Sequence, residues 1–123
     1  MSVPRSDRTA LGRAAEALAA GWLEDRGWLV LARNWRRGPG ELDLVASRDS
    51  ELAFVEVKRV DAWGLSSLSD SVGGGKRRRL VETSKLFLLS HREFECMKVR
   101  YDVIAVRGGR VAAYLEHAFS ERT

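Results

Sequence analysis

The segment GELDLVASRDSELAFVEVKRV, residues 40–60, decides the fold of this chain. Its first part, Glu41 to Ser47, alternates acidic or polar with aliphatic side chains, as a half-buried strand does. Its last part, Leu52 to Val60, is rich in β-branched and apolar residues, as a central strand is. The polar residues 48–51 join the two parts as a turn. We therefore expect an antiparallel pair of strands in which Ser47 lies opposite Leu52.

Four charged side chains come together on this predicted pair. Side chains two positions apart share a face of a strand, so Glu41 joins Asp43 and Glu56 joins Lys58. Counting back from the turn sets Asp43 opposite Glu56 and Glu41 opposite Lys58, with directly opposed Cβ atoms roughly 5 Å apart. The pattern therefore predicts two carboxylates in contact on one face of the pair.

This carboxylate pair predicts a site for a divalent metal. Two carboxylates so close repel each other, and each raises the pKa of the other unless a cation lies between them. Mg²⁺ prefers oxygen ligands and keeps several waters, so we expect Mg²⁺ or Mn²⁺ on Asp43 and Glu56, with the strand carbonyl of Val57 as a further ligand. Lys58 would then lie beside the attacking water, which it could orient, or it could stabilise charge in the transition state.

Simpler interpretations of these charges stay open at this stage. Glu56 and Lys58 alone would suit the exposed face of an edge strand. The apolar residues on both sides of them favour a buried strand instead, where charges need a reason. Glu41 could form a plain salt bridge with Lys58, but that pair would leave Asp43 unexplained.

The rest of the chain predicts helices packed on a sheet. Apolar residues recur at helical spacing from Thr9 until Gly27, which ends that helix. Gly38-Pro39-Gly40 must turn the chain, and the Ser- and Gly-rich segment Asp61 to Gly75 predicts a mobile loop before a second helix from Lys76. Further strands are predicted at Trp28 to Ala32, Val99 to Val106 and Val111 to Leu115, the last two as a hairpin around Gly108-Gly109. The order αβββαββ indicates one α/β domain over residues 1–123, a mixed sheet flanked by helices.

Composition bounds the class of protein. With 123 residues, of which 45% are hydrophobic, the chain can fill one core without disulfides. Its single cysteine, Cys96, cannot form an internal disulfide, which fits a reducing compartment. Charged residues interrupt the N-terminal segment, so we expect neither a signal peptide nor a membrane span, and a cytoplasmic protein.

Two basic clusters predict contacts with nucleic acid. The net charge is only +4, but the cations are concentrated, and such patches attract phosphate backbones. The second cluster opens a predicted helix, where cations oppose the helix dipole and would gain stability from a bound phosphate. Plain solvated surface is the alternative for both clusters, and the tryptophan of the first could stack on a base. The predicted nucleic-acid-binding residues are Arg33, Trp35, Arg36 and Arg37 in the first cluster and Lys76, Arg77, Arg78 and Arg79 in the second.

The two quoted strands, with features along nearly the whole chain, resemble a known family. GELDLVA at 40–46 followed by FVEVK at 54–58 is similar to the signature of the uncharacterised YraN-like proteins. Those proteins are members of the PD-(D/E)XK nuclease superfamily, related in fold to archaeal Holliday-junction resolvases. The resemblance extends to Ala15-Glu16, Arg33-Asn34, the Lys76 helix, Tyr101-Asp102-Val103 and residues 115–119.

The resemblance implies a restriction-endonuclease-like core that hydrolyses phosphodiesters with the help of a metal. Asp43 and Glu56 match the metal-binding acids of the family, Lys58 matches the active-site lysine, and Glu16 matches a helix glutamate that faces the site in related resolvases. By its own spacing, Glu16 lies on the flank of the apolar stripe and could equally be solvated. Resolvase-like nucleases often pair to cut two strands, so a homodimer is one expected state.

We therefore predict a Mg²⁺- or Mn²⁺-dependent endonuclease acting on DNA, with branched or otherwise structured DNA among its candidate substrates. A non-catalytic nucleic-acid-binding module of the same fold, or a protein-interaction subunit, is the alternative. His91 and His117 lack ligand-spaced neighbours, and Asp102 is expected to form a structural salt bridge with Arg100. Catalysis is assigned to Lys58, Glu56, Asp43 and Glu41, and metal binding to Asp43, Glu56, Glu16 and Val57.

Overall fold

The fold is taken from a computed structural model, which describes residues 5–60 and 74–120 of the chain. Within these ranges the chain forms two α-helices, a short 3₁₀ helix and five strands, in the predicted order αβββαββ. The α-helices are α1 (Arg5–Asp25) and α2 (Gly74–Ser90), the 3₁₀ helix is Arg92–Phe94, and the strands are β1 (Leu29–Arg37), β2 (Gly40–Arg48), β3 (Glu51–Arg59), β4 (Lys98–Arg107) and β5 (Arg110–Phe119).

The five strands of the described ranges form one mixed sheet in the order β1-β2-β3-β4-β5. β3 and β4 are parallel, whereas the other neighbours are antiparallel. The predicted register of the central pair is confirmed, because Ser47 lies opposite Leu52. This pairing runs from the turn to Leu44 opposite Val55, where the ladder ends. Beyond that point, the diverging ends of β2 and β3 carry the charged residues of the quoted segment.

The two edge strands are longer than the sequence predicted. β1 continues past Ala32 to Arg37, and β5 continues past Leu115 to Phe119. An edge strand can continue through polar residues because their side chains face water, so the apolar pattern alone ends too early. The predicted mobile loop falls mostly on residues 61–73, outside the described ranges, and residues 74 and 75 already belong to α2.

Each face of the sheet has its own hydrophobic core. On β3, Leu52 and Phe54 face α2, while Ala53 and Val55 face α1, as the strand period requires. The α1 core is formed by Ala15, Ala19, Ala20, Leu23, Trp28, Leu44, Ala46, Ala53, Val55, Ile104 and Val106. The α2 core is formed by Leu42, Val45, Leu52, Phe54, Leu80, Val81, Phe87, Tyr101, Val103, Ala105 and Phe119.

Each α-helix packs on the sheet through one side. In α1 the buried residues Ala15, Ala19 and Leu23 recur every four positions, and in α2 Leu80 and Phe87 are two turns apart. The small alanines let α1 approach the strands closely. Of the helices in residues 5–60 and 74–120, none combines the length and the apolar character needed to cross a membrane.

The alternation of β2 breaks at Asp43. Leu42 packs in the α2 core and Leu44 in the α1 core, although residues two apart normally share a face. β1 is irregular at the same level, because Asn34, opposite Asp43 by register, has a φ of 51°. Such a positive φ is uncommon for a residue with a side chain. The side chains of Glu41 and Asp43 nevertheless come together as predicted, and both reach Glu16 of α1.

β2 begins in close contact with α2 at Gly40. A Cβ atom on Gly40 would lie 1.8 Å from Oγ1 of Thr83, so a side chain does not fit there. The Thr83 hydroxyl is itself held, because it donates a hydrogen bond to the carbonyl of Arg79 over 2.6 Å. Gly40 therefore sets how closely the first turns of α2 approach the start of β2.

A buried ionic network joins β3, β4 and β5. The Arg100 guanidinium lies 2.8 Å from Asp102, 3.2 Å from Glu51 and 2.8 Å from Glu116. The Tyr114 hydroxyl also donates a hydrogen bond to Asp102. The predicted salt bridge between Arg100 and Asp102 is therefore confirmed. Because each of these two buried charges has partners, the network meets its own electrostatic needs without a ligand.

Candidate metal centre

Three carboxylates converge where α1 meets the start of β2. One oxygen from each of Glu16, Glu41 and Asp43 lies within 4.8 Å of the other two, and all three residues are half-buried. Burial and the charge of Glu41 raise the pKa of Glu16. Hard divalent ions prefer carboxylate oxygens, and a cation would remove the repulsion among them. These three residues, the acidic triad, could hold a metal ion.

Asn34 lies against the acidic triad from β1. With its amide nitrogen turned to the carboxylates, Asn34 donates to the two oxygens of Glu16 at 2.7 and 3.0 Å and to Glu41 at 3.3 Å. The opposite amide orientation would present an oxygen, which is a neutral metal ligand. Asn34 can therefore donate a hydrogen bond to the carboxylates when no cation is bound, or present its oxygen to a bound cation. Its positive φ is of the kind found at binding sites.

Asp43 reaches both sides of the sheet. The backbone N–H of Val57 donates a hydrogen bond to Oδ2 of Asp43 over 2.9 Å, beyond the end of the β2–β3 ladder. Burial and, after it, the Glu56 carboxylate raise the pKa of Asp43 to about 8, although the Val57 hydrogen bond acts in the opposite direction. A carboxyl group that is so costly to ionise gains most when a cation binds beside it.

Glu56 lies beside Asp43 of the acidic triad and pairs with a lysine from α2. Nζ of Lys76 lies 2.5 Å from Oε1 of Glu56, whose side chain is only 8% exposed. Burial by itself would lower the pKa of Lys76, but the hydrogen bond and charge of Glu56 more than offset it, so the pKa is raised. Burial and the adjoining Lys76 ammonium lower the pKa of Lys58. Glu56 and the two lysines thus form a second charged group beside the triad.

A cleft between β2 and α2, the α2 cleft, opens onto both groups. Its lining includes Glu41, Asp43 and Glu56 from the sheet and Lys76 and Arg79 from the helix. The two cations are three residues apart on α2, so they face the same side of the helix. Carboxylates on one side and cations on the other suit a ligand that combines a metal ion with phosphate oxygens.

The structure changes two placements made from the sequence. Glu41 was expected opposite Lys58, but the ladder ends before that pair, and Glu41 instead contacts Arg36, Oε2 to Nη2, over 3.5 Å. Lys76 was expected in an unbroken surface patch with the arginines that follow it. It turns inward to Glu56 instead, because it precedes the buried Leu80 by one helical turn.

Most other members of the two basic clusters lie at the surface. Arg33, Arg36 and Arg37 on β1 and Arg78 and Arg79 on α2 are exposed. Nucleic-acid binding by these residues stays a prediction. Their exposure leaves them able to contact a phosphate backbone.

Trp35 and Arg77 pack against other parts of the protein. The Trp35 ring meets Phe87 edge-on, with 5.3 Å between ring centroids. The Arg77 guanidinium lies 5.6 Å from the centre of the Phe119 ring. Trp35 therefore contributes to the α2 core, and base stacking by it stays a prediction.

Sequence reasoning missed Asn34 and the inward direction of Lys76. Asparagine tolerates positive φ better than most residues, so an asparagine between cations in a strand could have indicated a break. For Lys76, the sequence signal is its position one helical turn before the apolar Leu80, which places both residues on the same side of the helix. The charge of Lys76 alone could not reveal its inward direction, because the next three residues are also basic.

Comparisons with known proteins give one consistent family. The profile described as "Uncharacterised protein family UPF0102" matches residues 15–106. A UPF0102 protein of Treponema pallidum strain Nichols is 41% identical over 117 residues, which cover 90% of this chain and 93% of that protein. One from Synechococcus sp. strain JA-3-3Ab is 41% identical over 119 residues, covering 89% and 90%. One from Pseudomonas putida strain GB-1 is 38% identical over 121 residues, covering 95% and 98%. The matched residues 15–106 include the acidic triad and the lysines beside it.

Proposed function

The chain belongs to the uncharacterised protein family UPF0102, and we propose that it is a metal-dependent nuclease that hydrolyses phosphodiester bonds in DNA. The observation that carries the proposal is the convergence of Glu16, Glu41 and Asp43 on one point. Metal-assisted phosphodiester hydrolysis uses a cation site next to positive charge for the phosphate, and Lys58 supplies that charge near Asp43 of the triad. Among DNA substrates, we propose branched or otherwise structured molecules.

The residues present fit a Mg²⁺ or Mn²⁺ ion. The acidic triad would hold it, with Asn34 as a further oxygen donor, because an all-oxygen donor set suits these ions. Glu56 and the carbonyl of Val57 are also proposed as ligands. When bound, the ion would supply Lewis-acid chemistry by offsetting the charge of the phosphodiester and lowering the pKa of a water molecule.

The chain's own side chains supply proton transfer and positioning. The pKa of Lys58 is lowered by burial and by Lys76, so its amine gives up a proton more readily than that of an exposed lysine. Lys58 can therefore exchange a proton with the attacking water or donate a hydrogen bond to the phosphate. Arg79, which lines the α2 cleft, can hold a phosphate oxygen through its planar group of donors.

The charge of the surface supports a polyanion as substrate. The chain has a net charge of +4, and the exposed arginines of β1 and α2 extend the positive surface beyond the cleft. Contacts of this kind bind phosphate backbones without regard to sequence and weaken as salt is added. They favour a nucleic acid over a small phosphate ester.

A non-catalytic nucleic-acid-binding module is the second candidate function. The ion pair between Lys76 and Glu56 favours it, because this contact gives Glu56 a partner without any metal. In that case the exposed arginines would bind DNA with a steep salt dependence. The acidic triad would then bind no Mg²⁺ or Mn²⁺.

A cleavage assay with Mn²⁺ on linear, nicked and branched DNAs tests the proposal. We expect cleavage by the unmodified protein and none by Asp43→Asn. Asp25→Asn is the matched control, since Asp25 is exposed at the end of α1, and it should cut at the parent rate. Isothermal titration with Mn²⁺ in the absence of DNA forms the second arm. Parent-level cleavage by Asp43→Asn contradicts the proposal, and DNA binding without Mn²⁺ binding leaves the second candidate.

A further inference from the structure

We infer that Lys76 is a substrate-contacting residue of the active site, which binds the phosphate of the substrate together with Lys58. The inference rests on the proposed function and adds a residue from α2 to that site. It also means that Lys76 does not act as part of the exposed basic cluster 76–79, to which the sequence analysis assigned it. Its role thus differs from that of an arginine that only contacts the phosphate backbone from the surface.

The packing of α2 fixes the position of the Lys76 ammonium. Lys76 precedes Leu80 by four residues and Thr83 by seven, and both are buried against the sheet, so Lys76 lies on the packed side of the helix. Gly40 allows this approach, because any side chain there would meet Thr83. The resulting ion pair with Glu56 is 2.5 Å long, and the Lys76 side chain is 35% exposed. The ion pair therefore holds the Lys76 ammonium in place, and part of the side chain remains accessible from the α2 cleft.

Two ammonium groups meet beside Glu56. Lys58 from β3 lies close enough to Lys76 from α2 that the Lys76 ammonium lowers the pKa of Lys58. Glu56 pairs with Lys76, and the Asp43 carboxyl also acts on both lysines, while the two like charges of the lysines repel each other. An ammonium has three donors, so Lys76 can keep its bond to Glu56 and still donate to another anion. The lysine pair is therefore suited to one more anion.

A phosphodiester is the anion that best fits this position. Its two non-bridging oxygens can accept from both lysines at once. Arg79 lines the same cleft one helical turn further along, where it could hold an adjacent phosphate of a strand. The acidic triad borders the cleft through Glu41 and Asp43, so a phosphate on the lysine pair would lie beside the proposed metal ligands.

The alternative role for Lys76 is a purely structural one. The ion pair with Glu56 could serve only to fasten α2 to β3. A structural role predicts a lower melting temperature when Lys76 is replaced, with no specific effect on turnover. A phosphate contact predicts a loss of kcat while the fold is retained.

The test compares Lys76→Met with Lys85→Met in the Mn²⁺-dependent cleavage assay. Lys85 is an exposed lysine further along α2, so both variants remove one positive charge from one helix. We expect Lys76→Met to lower kcat by about 100-fold, as the loss of a charge-stabilising donor does, with KM changed by less than about threefold. Lys85→Met should keep the parent kcat, and Lys76→Arg should recover part of the loss. If Lys76→Met does not fold, Lys76→Gln, which keeps a donor for Glu56, carries the same expectation.

Equal kcat values for Lys76→Met and Lys85→Met would overturn the inference, as would a loss of melting temperature alone. Should the unmodified protein cleave no DNA, the proposed function fails, and a binding measurement then decides the inference. A short single-stranded oligonucleotide is added while the NMR signal of the Val57 amide, which bonds to Asp43, is followed. A shift in the parent and in Lys85→Met that disappears in Lys76→Met supports the phosphate contact. The same shift in all three proteins, or in none, refutes it.

Discussion

The backbone N–H of Val57 donates a hydrogen bond to Oδ2 of Asp43 over 2.9 Å. The bond ties a candidate metal ligand to the adjacent strand just beyond the point where β2 and β3 stop pairing. From this position Asp43 meets Glu16 and Glu41 on one side and the charge of Glu56 on the other. Asp43 is therefore the residue on which both halves of the site depend.

Glu16→Gln and Glu41→Gln should each weaken Mg²⁺ binding by about tenfold or more, and the double variant should lose far less than the product of the two. The reason is that both carboxylates belong to one triad, so the second change acts on a site that is already damaged. Isothermal titration measures the affinities. Glu24→Gln, at an exposed position of α1, is the control. Strictly multiplicative losses would mean that the two glutamates do not share an ion.

The affinity for Mg²⁺ should rise by about tenfold per pH unit below pH 8 and level off above it. Burial and the Glu56 carboxylate hold the pKa of Asp43 at about 8. Because this pKa is raised, Asp43 carries a proton at neutral pH, and the proton must leave before a cation can bind. Titrations at several pH values, in buffers of different ionisation enthalpy, report the affinity and the proton release. Asp43→Asn should remove this dependence, and a parent affinity that is flat with pH would contradict the assignment.

Lys58→Met should keep Mg²⁺ and DNA binding but lower the cleavage rate by about 100-fold or more, because the lysine acts on the water or the phosphate and does not hold the ion. Single-turnover cleavage and fluorescence anisotropy measure the two properties separately. Lys98→Met, at the exposed start of β4, is the matched control. A Lys58→Met protein that cuts as fast as the parent would assign the lysine a structural role.

Gly40→Ala should destabilise the protein by roughly 1–3 kcal/mol, because the new methyl group meets the Thr83 hydroxyl. Urea unfolding without metal measures the free energy of unfolding. Thr83→Ala in the same chain should recover part of the loss, since it removes the atom at 1.8 Å but leaves Cβ at 2.9 Å. Gly21→Ala, on α1 with nothing within 4 Å of the new Cβ, should instead stabilise by about 0.5–1 kcal/mol. Equal stability of Gly40→Ala and the parent would show that α2 can move away at no cost.

The central part of the fold could be predicted because several local signals agree. The alternation before Ser47, the polar turn and the apolar run after Leu52 permit one register, since a slip by one residue would turn every apolar side chain to the wrong face. The same register brought Asp43 towards Glu56. The family resemblance placed Glu16 near the site, and the structure brings it to Asp43.

The remaining features depend on tertiary contacts that periodicity does not encode. Glu41 does not pair with Lys58 because the β2–β3 ladder ends before that position, and the alternation of β2 breaks at Asp43, opposite the positive φ of Asn34. Lys76 turns inward because α2 packs on the sheet at Gly40 and Leu80. Both features depend on how a helix or a neighbouring strand packs at the start of β2. The sequence pattern of one strand alone therefore cannot predict them.

The ionic network around Arg100 and the acidic triad divide the polar interior into two parts with opposite requirements. The Arg100 network is complete, because one guanidinium is matched by carboxylates from three strands. The triad gathers like charges, so its electrostatic balance depends on what arrives from solution. The charges of the Arg100 network are thus paired within the protein, whereas the acidic triad depends on a bound cation. Because the two groups are separate, substitutions at the cleft can change or remove the chemistry of the protein while its fold is retained.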